Sequence, residues 1–445
     1  MHKRLPLLLR HVMYNLRGGF LVRPLSIALT LGCAGAVLSC LEEATPALSQ
    51  WVPSVLFPSH ADPQIAQLIL GGIAASMMTV VSIVFAILLM TLTLASMQFS
   101  PRIIIGFTRD RVTQWTLGIF LGTFLYCMAA LPAARSVPRP FAPVSTVLGA
   151  MVLAIACVGW LLFFIHHISQ AIGVNQIVDR IASETEAVID QMMPWPRRPD
   201  RPANTNTDLE GLSGEVVLNG SSGYIRFLDT KRLIALAKSY HVKIRVLRRV
   251  GQFIPAGVPL LVLSKAGNLP DEAIADFRGT FDLGPSRTLQ QDVEFGVLQI
   301  VDIALKAISP AVNDPTTAIS CVDQLSRILI RFASREQPES LLYDPSGMVR
   351  VGVKWVDFER LLDSAFEQIR MYSKADVAVS LRLVRALSDI AIGAPAKHRH
   401  ALVEFGRRII SGCTEKLSED EMRRLRVRLT SLEGVLAPSR PPQPG

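Results

Sequence analysis

The residues best suited to chemistry gather around one break between helical patterns. Asp302 and Lys306 stand four apart, Ser309-Pro310 interrupts the pattern, and Asn313-Asp314-Pro315-Thr316-Thr317 restarts it. Two carboxylates, an ammonium and a carboxamide could hold a cation, a small ligand or a partner. The same residues also suit a cap: Asp314 fits the N-cap and Pro315 the first helical position. Asp302 and Lys306 can then pair across one helical turn. Asp323 is expected near the turn, and no patterned calcium loop is present.

Other reactive side chains are sparse. His398-Arg399-His400 has two potential ligands, fewer than zinc sites use. His166-His167 follows Trp160, Phe163 and Phe164, which suits an interfacial anchor or a pH-sensing pair. Cys33, Cys40, Cys127 and Cys157 lie in apolar blocks, while Cys321 and Cys413 are far apart in the polar part. No CxxC occurs, so buried reduced thiols are expected and no metal is assigned. Gly220-Ser221-Ser222-Gly223 lacks the P-loop lysine and reads as a hairpin turn. No GxSxG, HExxH, Walker A or suitably placed GxGxxG is found. The expectation is a non-enzyme without a cofactor.

The elements that must position these residues are of two kinds. The chain has 445 residues, half of them hydrophobic and 19% charged, with a mean hydropathy of +0.34. That excludes a disordered chain and disfavours an ordinary soluble one. The net charge of +9 points to nucleic acid or an anionic membrane face. No aromatic-interleaved basic stripe is present, so nucleic acid is not expected and the lipid bilayer is.

Four stretches lack Asp, Glu, Lys and Arg: Pro24–Leu41, Pro63–Pro101, Val112–Ala134 and Pro140–Val178. A helix crosses a bilayer in about 20 residues, which places spans near 22–41, 66–96, 113–132 and 144–168. The arm before the first span holds Lys3, Arg4, Arg10, Arg17 and Arg23 and no acid. The next loop holds Glu42, Glu43 and Asp62, and the one after it Arg102, Arg109 and Arg111. Arg135 and Arg139 in the third loop run mildly against the trend. The positive-inside bias still puts both termini in the cytoplasm of a bacterial inner-membrane protein. Arg102, Arg109 and Arg111 then meet the inner leaflet, setting topology or touching anionic lipid. A cleaved signal peptide is disfavoured, because three more spans follow.

The second span is over-long. Its uncharged run would reach about 58 Å as one helix, so it tilts or projects beyond the membrane. Thr79, Ser82, Ala86, Thr93 and Ser100 fall within a wedge of roughly 60°. Close helix packing explains such a stripe. So does the lining of a passive pore in a homo-oligomer. A coupled pump is disfavoured, because no charge sits at mid-membrane.

From Asn175 the composition becomes ordinary. Val178–Met193 reads as an amphipathic helix and Pro194 to Asp208 as a proline-rich linker. Glu215–Leu218, Tyr224–Phe227, Val242–Leu247 and Leu260–Leu263 read as strands. A helix over 230–240 follows Asp229 as N-cap. Helical spacing covers Asp292–Ile308, the segment after Asp314 to about Ala333, and most of 354–435. The basic run Arg407-Arg408 to Arg423-Arg424 is interleaved with Glu415, Glu419 and Glu421, as on a solvated helix face.

Three motifs give a resemblance. Ser100-Pro101-Arg102 with Phe107, Asp110-Arg111, Gln114, Leu117-Gly118 and Phe120 resembles one signature of the bacterial domain-of-unknown-function 2254 family. Ser222-Gly223-Tyr224-Ile225 resembles another. Val301-Asp302-Ile303-Ala304-Leu305, Ala307, Ser309-Pro310 and Asn313-Asp314-Pro315-Thr316-Thr317-Ala318 resembles a third. The resemblance spans about 10 to 435 and implies a multi-pass inner-membrane protein with a cytoplasmic C-terminal region. It implies a layout and no activity.

The expected fold is a four-helix transmembrane domain, 1–175, followed by an amphipathic helix and linker, 176–212. A small β-barrel-like module, 213–285, a helical domain, 286–435, and a disordered tail, 436–445, complete an α+β cytoplasmic region. Two functions fit this layout. One is a homo-oligomeric pore lined by the second span; the other is a membrane-anchored sensing or scaffolding module that uses Asn313-Asp314 as its contact.

Overall fold

The computed structural model describes residues 22–45, 62–98, 110–137, 140–171, 173–193, 209, 211–264, 269–413 and 415–436. The chain divides into two compact units, Met1–Gly173 and Val174–Gly445.

Among the described residues of the first unit, α1 (Val22–Ala44), α2 (Pro63–Gln98), α3 (Arg111–Ala130) and α4 (Val144–Ala171) are the helices long and apolar enough to cross a membrane. They lie within a few residues of the expected spans. The reason is local: each apolar run ends at charged or proline-containing sequence. α3 is the inner member and packs against the other three. The α1–α3 crossing is glycine-mediated. A Cβ on Gly35 would stand 2.6 Å from the Tyr126 carbonyl oxygen, and one on Gly122 2.4 Å from a Leu31 methyl. Small residues let two backbones approach in a medium where apolar surface alone gives no drive to associate. The core of the unit is apolar, with Leu70, Ala74, Cys127, Val147 and Ala150 in one layer and Val84, Leu117, Phe120 and Phe164 in another. Large apolar side chains also face outward, among them Leu68, Met90, Ile155 and Leu162. An all-round apolar surface suits surrounding hydrocarbon.

The second unit opens with α5 (Val174–Met192). This helix has one apolar face, Ile177, Val178, Ile181, Ala182, Val188 and Ile189, which is buried within the unit. The chain continues through β1 (Glu215–Leu218), β2 (Gly223–Leu228), α6 (Thr230–Ser239), β3 (Ile244–Val246), β4 (Phe253–Ile254), β5 (Pro259–Leu263), α7 (Asp271–Arg278) and β6 (Phe281–Gly284). Then follow α8 (Val293–Ala307), α9 (Pro315–Ala333), β7 (Leu341–Tyr343), β8 (Val349–Gly352), α10 (Phe358–Tyr372), α11 (Val377–Gly393), α12 (Ala396–Cys413) and α13 (Glu419–Leu436).

The strands form a five-stranded sheet of order β1-β5-β3-β8-β7 and a three-stranded sheet of order β4-β2-β6. The barrel-like closure expected over 213–285 is not seen among the described residues. The larger sheet instead recruits β7 and β8 from within 286–435, expected as a helical domain, with β8 parallel to β3 at Ile244↔Val351. Strands this short carry too few residues to announce themselves by alternation. Leu228, Ile244, Leu261, Phe277 and Val351 fill the sheet core.

Aspartates start five helices of this unit among the described residues. Asp229, Asp292, Asp314, Asp357 and Asp376 each accept a hydrogen bond from a backbone N–H in the following first turn. A carboxylate there satisfies an orphan donor and complements the helix dipole. α9 packs against α5, α8 and α11, and α11 against α12 and α13. Arginines one turn apart, on α9 and just past its C-cap, clasp α5: Arg327 donates to Asp179 at 2.8 Å and Glu186 at 2.6 Å, and Arg331 and Arg335 both donate to Asp190 at 2.5 Å. The Arg331 hydrogen bond is the chief reason Asp190 is held below the usual carboxylate range.

Candidate functional site

The α2 stripe is displayed on the outside of the first unit. Ala66, Leu70, Ala74, Met77 and Val84 form the buried face of α2, while Thr79, Ser82, Ala86 and Thr93 are exposed. Their hydroxyls bond back along their own helix. Thr79 donates to the Ala75 carbonyl at 3.2 Å, Ser82 to Met78 at 2.9 Å and Thr93 to Leu89 at 2.8 Å. Back-bonding of this kind satisfies a hydroxyl in hydrocarbon and leaves its oxygen able to accept. Ser100, Arg102 and Arg109 lie outside the described residues. Arg111 opens α3 directly after the Asp110 cap.

Polar groups close both ends of the bundle. Glu42 near the end of α1 is buried, and its carboxylate accepts from the Ser145 N–H at 2.7 Å, the Thr146 N–H at 3.1 Å and the Thr146 hydroxyl at 3.0 Å. It caps α4 from a different helix. Tyr126 donates to the Thr146 carbonyl at 3.1 Å, and Arg135 pairs with Glu43. At the other end Asp110 accepts from the Thr113 N–H at 2.9 Å and hydroxyl at 2.8 Å, and lies 3.2 Å from His167 Nε2. In the sequence Glu42 stands at the start of an acidic loop. Nothing local in the sequence shows that its acceptors are needed about a hundred residues away.

The polar turn is a cap built around a left-handed residue. Asn313 has φ +50° and is exposed. Its backbone N–H donates to Ser309 at 2.9 Å, and the Asp314 N–H donates to the Ala307 carbonyl at 2.8 Å, folding the turn onto the end of α8. Asp314 accepts from the Thr317 hydroxyl at 2.5 Å and N–H at 3.1 Å. The Thr317 hydroxyl is the main cause of its lowered pKa. Asp302 and Lys306 are half-buried on successive turns of α8. Asp323 is drawn to Arg382 of α11. Among the described residues no group of three or more His, Cys, Asp or Glu could hold a metal ion. His398 packs against Phe358 with ring centroids 4.3 Å apart and planes tilted by 34°, and burial lowers its pKa.

A charged cluster that the sequence did not reveal lies where the sheets meet the helices. Glu294, 8% exposed, receives Arg249 at 3.0 Å, Arg287 at 3.2 Å, Arg360 at 3.0 Å and the Ser364 hydroxyl at 3.1 Å. Arg287 also forks onto Asp292, with Nε 2.7 Å from one carboxylate oxygen and Nη2 2.8 Å from the other. Burial pushes the Glu294 carboxyl up, but Arg249, Arg287 and Arg360 outweigh it and hold the pKa below the usual range. The cluster closes against Gly251 at φ +88°, where a Cβ would meet Asp292 at 2.3 Å. The adjoining cavity, lined by Met193, Gln291 and Trp355 among others, has a volume of about 20 Å³, enough for a single water. The cluster is therefore a clasp with every carboxylate occupied. The one hint in the sequence is three charged residues, Arg287, Asp292 and Glu294, at the entry to an apolar helix.

Comparison with known proteins places this layout. The family model described as "Predicted membrane protein (DUF2254)" matches residues 17–389. The chain belongs to that family. The DUF2254 match covers all four apolar helices and both sheets, and runs into α11. Among curated relatives, the uncharacterised proteins Rv1290c of Mycobacterium tuberculosis (strain ATCC 25618 / H37Rv) and Mb1321c of Mycobacterium bovis (strain ATCC BAA-935 / AF2122/97) are each 30% identical over 419 residues. That alignment covers 93% of this chain and 79% of each relative. No solved structure matches the chain.

Proposed function

We propose that several copies of this DUF2254 chain assemble in a bacterial inner membrane, with their α2 faces meeting around a shared path. Thr79, Ser82, Ala86 and Thr93 then line a passive pore, and the Val174–Gly445 unit acts as its cytoplasmic regulatory part, with both termini inside the cell. One observation carries the reading: the small, weakly polar face of α2 points away from the three other apolar helices of its own chain. The interior of a single copy supports the need for several, since Leu70, Val84, Phe120, Val147 and Phe164 fill it with apolar side chains. The back-bonded hydroxyls still offer acceptor oxygens to a passing solute. No enzymatic step and no cofactor enter this proposal.

Purified protein in a planar bilayer is expected to conduct, and Thr79→Leu with Ser82→Leu to reduce that conductance. Absence of conductance at every pH and salt tried would defeat the reading. A conductance unchanged by the double variant would defeat the stripe assignment.

A second reading keeps the apolar helices as an anchor and makes the cytoplasmic unit a sensing or scaffolding module. The exposed Asn313 beside the Asp314 cap favours it, because a left-handed, solvent-facing carboxamide is open to a partner. A partner lost from pull-downs of Asn313→Ala, with assembly intact, would select this reading.

A further inference from the structure

The arginines of the last helices fall into two groups. In the first group each has an acid. Arg407 donates to Glu433 at 2.9 Å, Arg408 to Asp363 at 2.6 Å, Arg370 to Glu367 at 2.5 Å, and Arg385 lies 3.9 Å from Asp389. α13 is arranged differently. Three of its acids, Glu419, Asp420 and Glu421, crowd the first turn, and Glu433 near its other end is taken by Arg407. Glu421 is taken by the Ser418 N–H at 2.9 Å and hydroxyl at 2.8 Å, and Asp420 by Arg423. Arg424 and Arg428 come after these acids. Beside those Ser418 hydrogen bonds, the Arg424 charge helps to lower the Glu421 pKa, but among the described residues neither arginine makes a close ion pair.

Arg424 and Arg428 are four apart and so share a face, where like charges oppose each other. With Arg423, they line an open cleft of about 290 Å³ whose remaining walls are Val427 and Leu381 of α11. Val427 is 61% exposed in the midst of these charges. Guanidinium groups match phosphate oxygens as planar two-donor forks, and an anion between them removes their mutual repulsion.

We infer that the α11–α13 cleft binds a phosphate-bearing anion, gripped by Arg424 and Arg428 with Arg423 at its edge. Leu381 and Val427 form an aliphatic wall for the carbon portion of the ligand. The phosphate belongs either to a soluble ester or to a lipid headgroup, and the two sources can be separated.

The full chain in phosphatidylcholine nanodiscs is titrated calorimetrically with inorganic pyrophosphate. In parallel it is floated with vesicles that contain or lack phosphatidylglycerol. Heat with pyrophosphate assigns a soluble ligand; flotation only with phosphatidylglycerol assigns a headgroup. In either arm Arg424→Gln with Arg428→Gln is expected to weaken binding about tenfold, as the loss of charge-assisted hydrogen bonds implies. Arg385→Gln, on α11 and already paired, is expected to leave it unchanged. Thermal melts check folding, and Arg428→Gln alone decides if the double variant is unfolded. Binding of neither probe, or equal binding by wild type and variant, overturns the inference.

Discussion

Glu42 and Thr146 are 104 positions apart, yet the Glu42 carboxylate accepts both the backbone N–H and the hydroxyl of Thr146, at 3.1 and 3.0 Å. An acid near the last turn of one apolar helix thus serves as the N-cap of another. Glu42→Ala leaves buried donors at the start of α4 without a partner. The expected cost is about 1–3 kcal/mol, with Glu42→Gln less damaging because its carbonyl still accepts. Denaturation in mixed micelles, followed by helical circular dichroism, measures both. Wild-type stability in Glu42→Ala would refute the capping role.

The α1–α3 crossing predicts a contrast between glycines. Gly35→Ala forces a methyl to within 2.6 Å of backbone and is expected to destabilise the first unit by about 1–3 kcal/mol. Gly72→Ala, which meets nothing within 4 Å, is expected to be neutral or mildly stabilising. The same denaturation series reads the difference, and equal effects at the two positions would contradict the packing.

In the second unit, Glu294→Ala removes the carboxylate that three arginines share. Breaking a buried pair from one side costs about 3–5 kcal/mol. Arg360 is 56% exposed, so Arg360→Ala is expected to cost under about 1 kcal/mol. Limited proteolysis of the 174–445 region in the intact protein should show the first variant cut far faster than the second.

Acid should act through the same carboxylates. Glu294, Asp190 and Asp314 all have lowered folded pKa values. A group lowered on folding contributes its full stability above its unfolded pKa, near 4 for carboxylates, and loses it as pH falls through the folded value. The unfolding free energy is therefore expected to stay level down to about pH 5 and to drop below about pH 4. Glu294→Gln should shrink that drop, and an unchanged pH profile in the variant would exclude Glu294 as a contributor.

Cys321 gives a chemical test of burial. Burial first, then Asp314 and Asp323, push its thiol up to about 12. The reactive thiolate is therefore absent near pH 8. Maleimide labelling followed by mass spectrometry should modify Cys321 only after unfolding. Rapid modification in the folded protein would show that the α9 packing is open.

The sequence by itself determined the local features. Apolar runs located the four long helices to within a few residues, because a span depends mainly on consecutive hydrophobicity. Asp229 and Asp314 announced their helices, because a cap acts within three residues. The Asp314-Pro315 restart gave the α8–α9 hairpin for the same reason. Tertiary structure alone decided the rest. The Glu294 clasp joins residues 45 and 66 positions away, and no periodicity encodes which arginine meets a carboxylate at that separation. The parallel β3–β8 pairing is equally non-local, made by strands too short to show alternation. The side of the bundle on which Thr79 and Ser82 lie depends on which face of α2 the other helices cover, and an all-round apolar helix does not specify that in its own sequence.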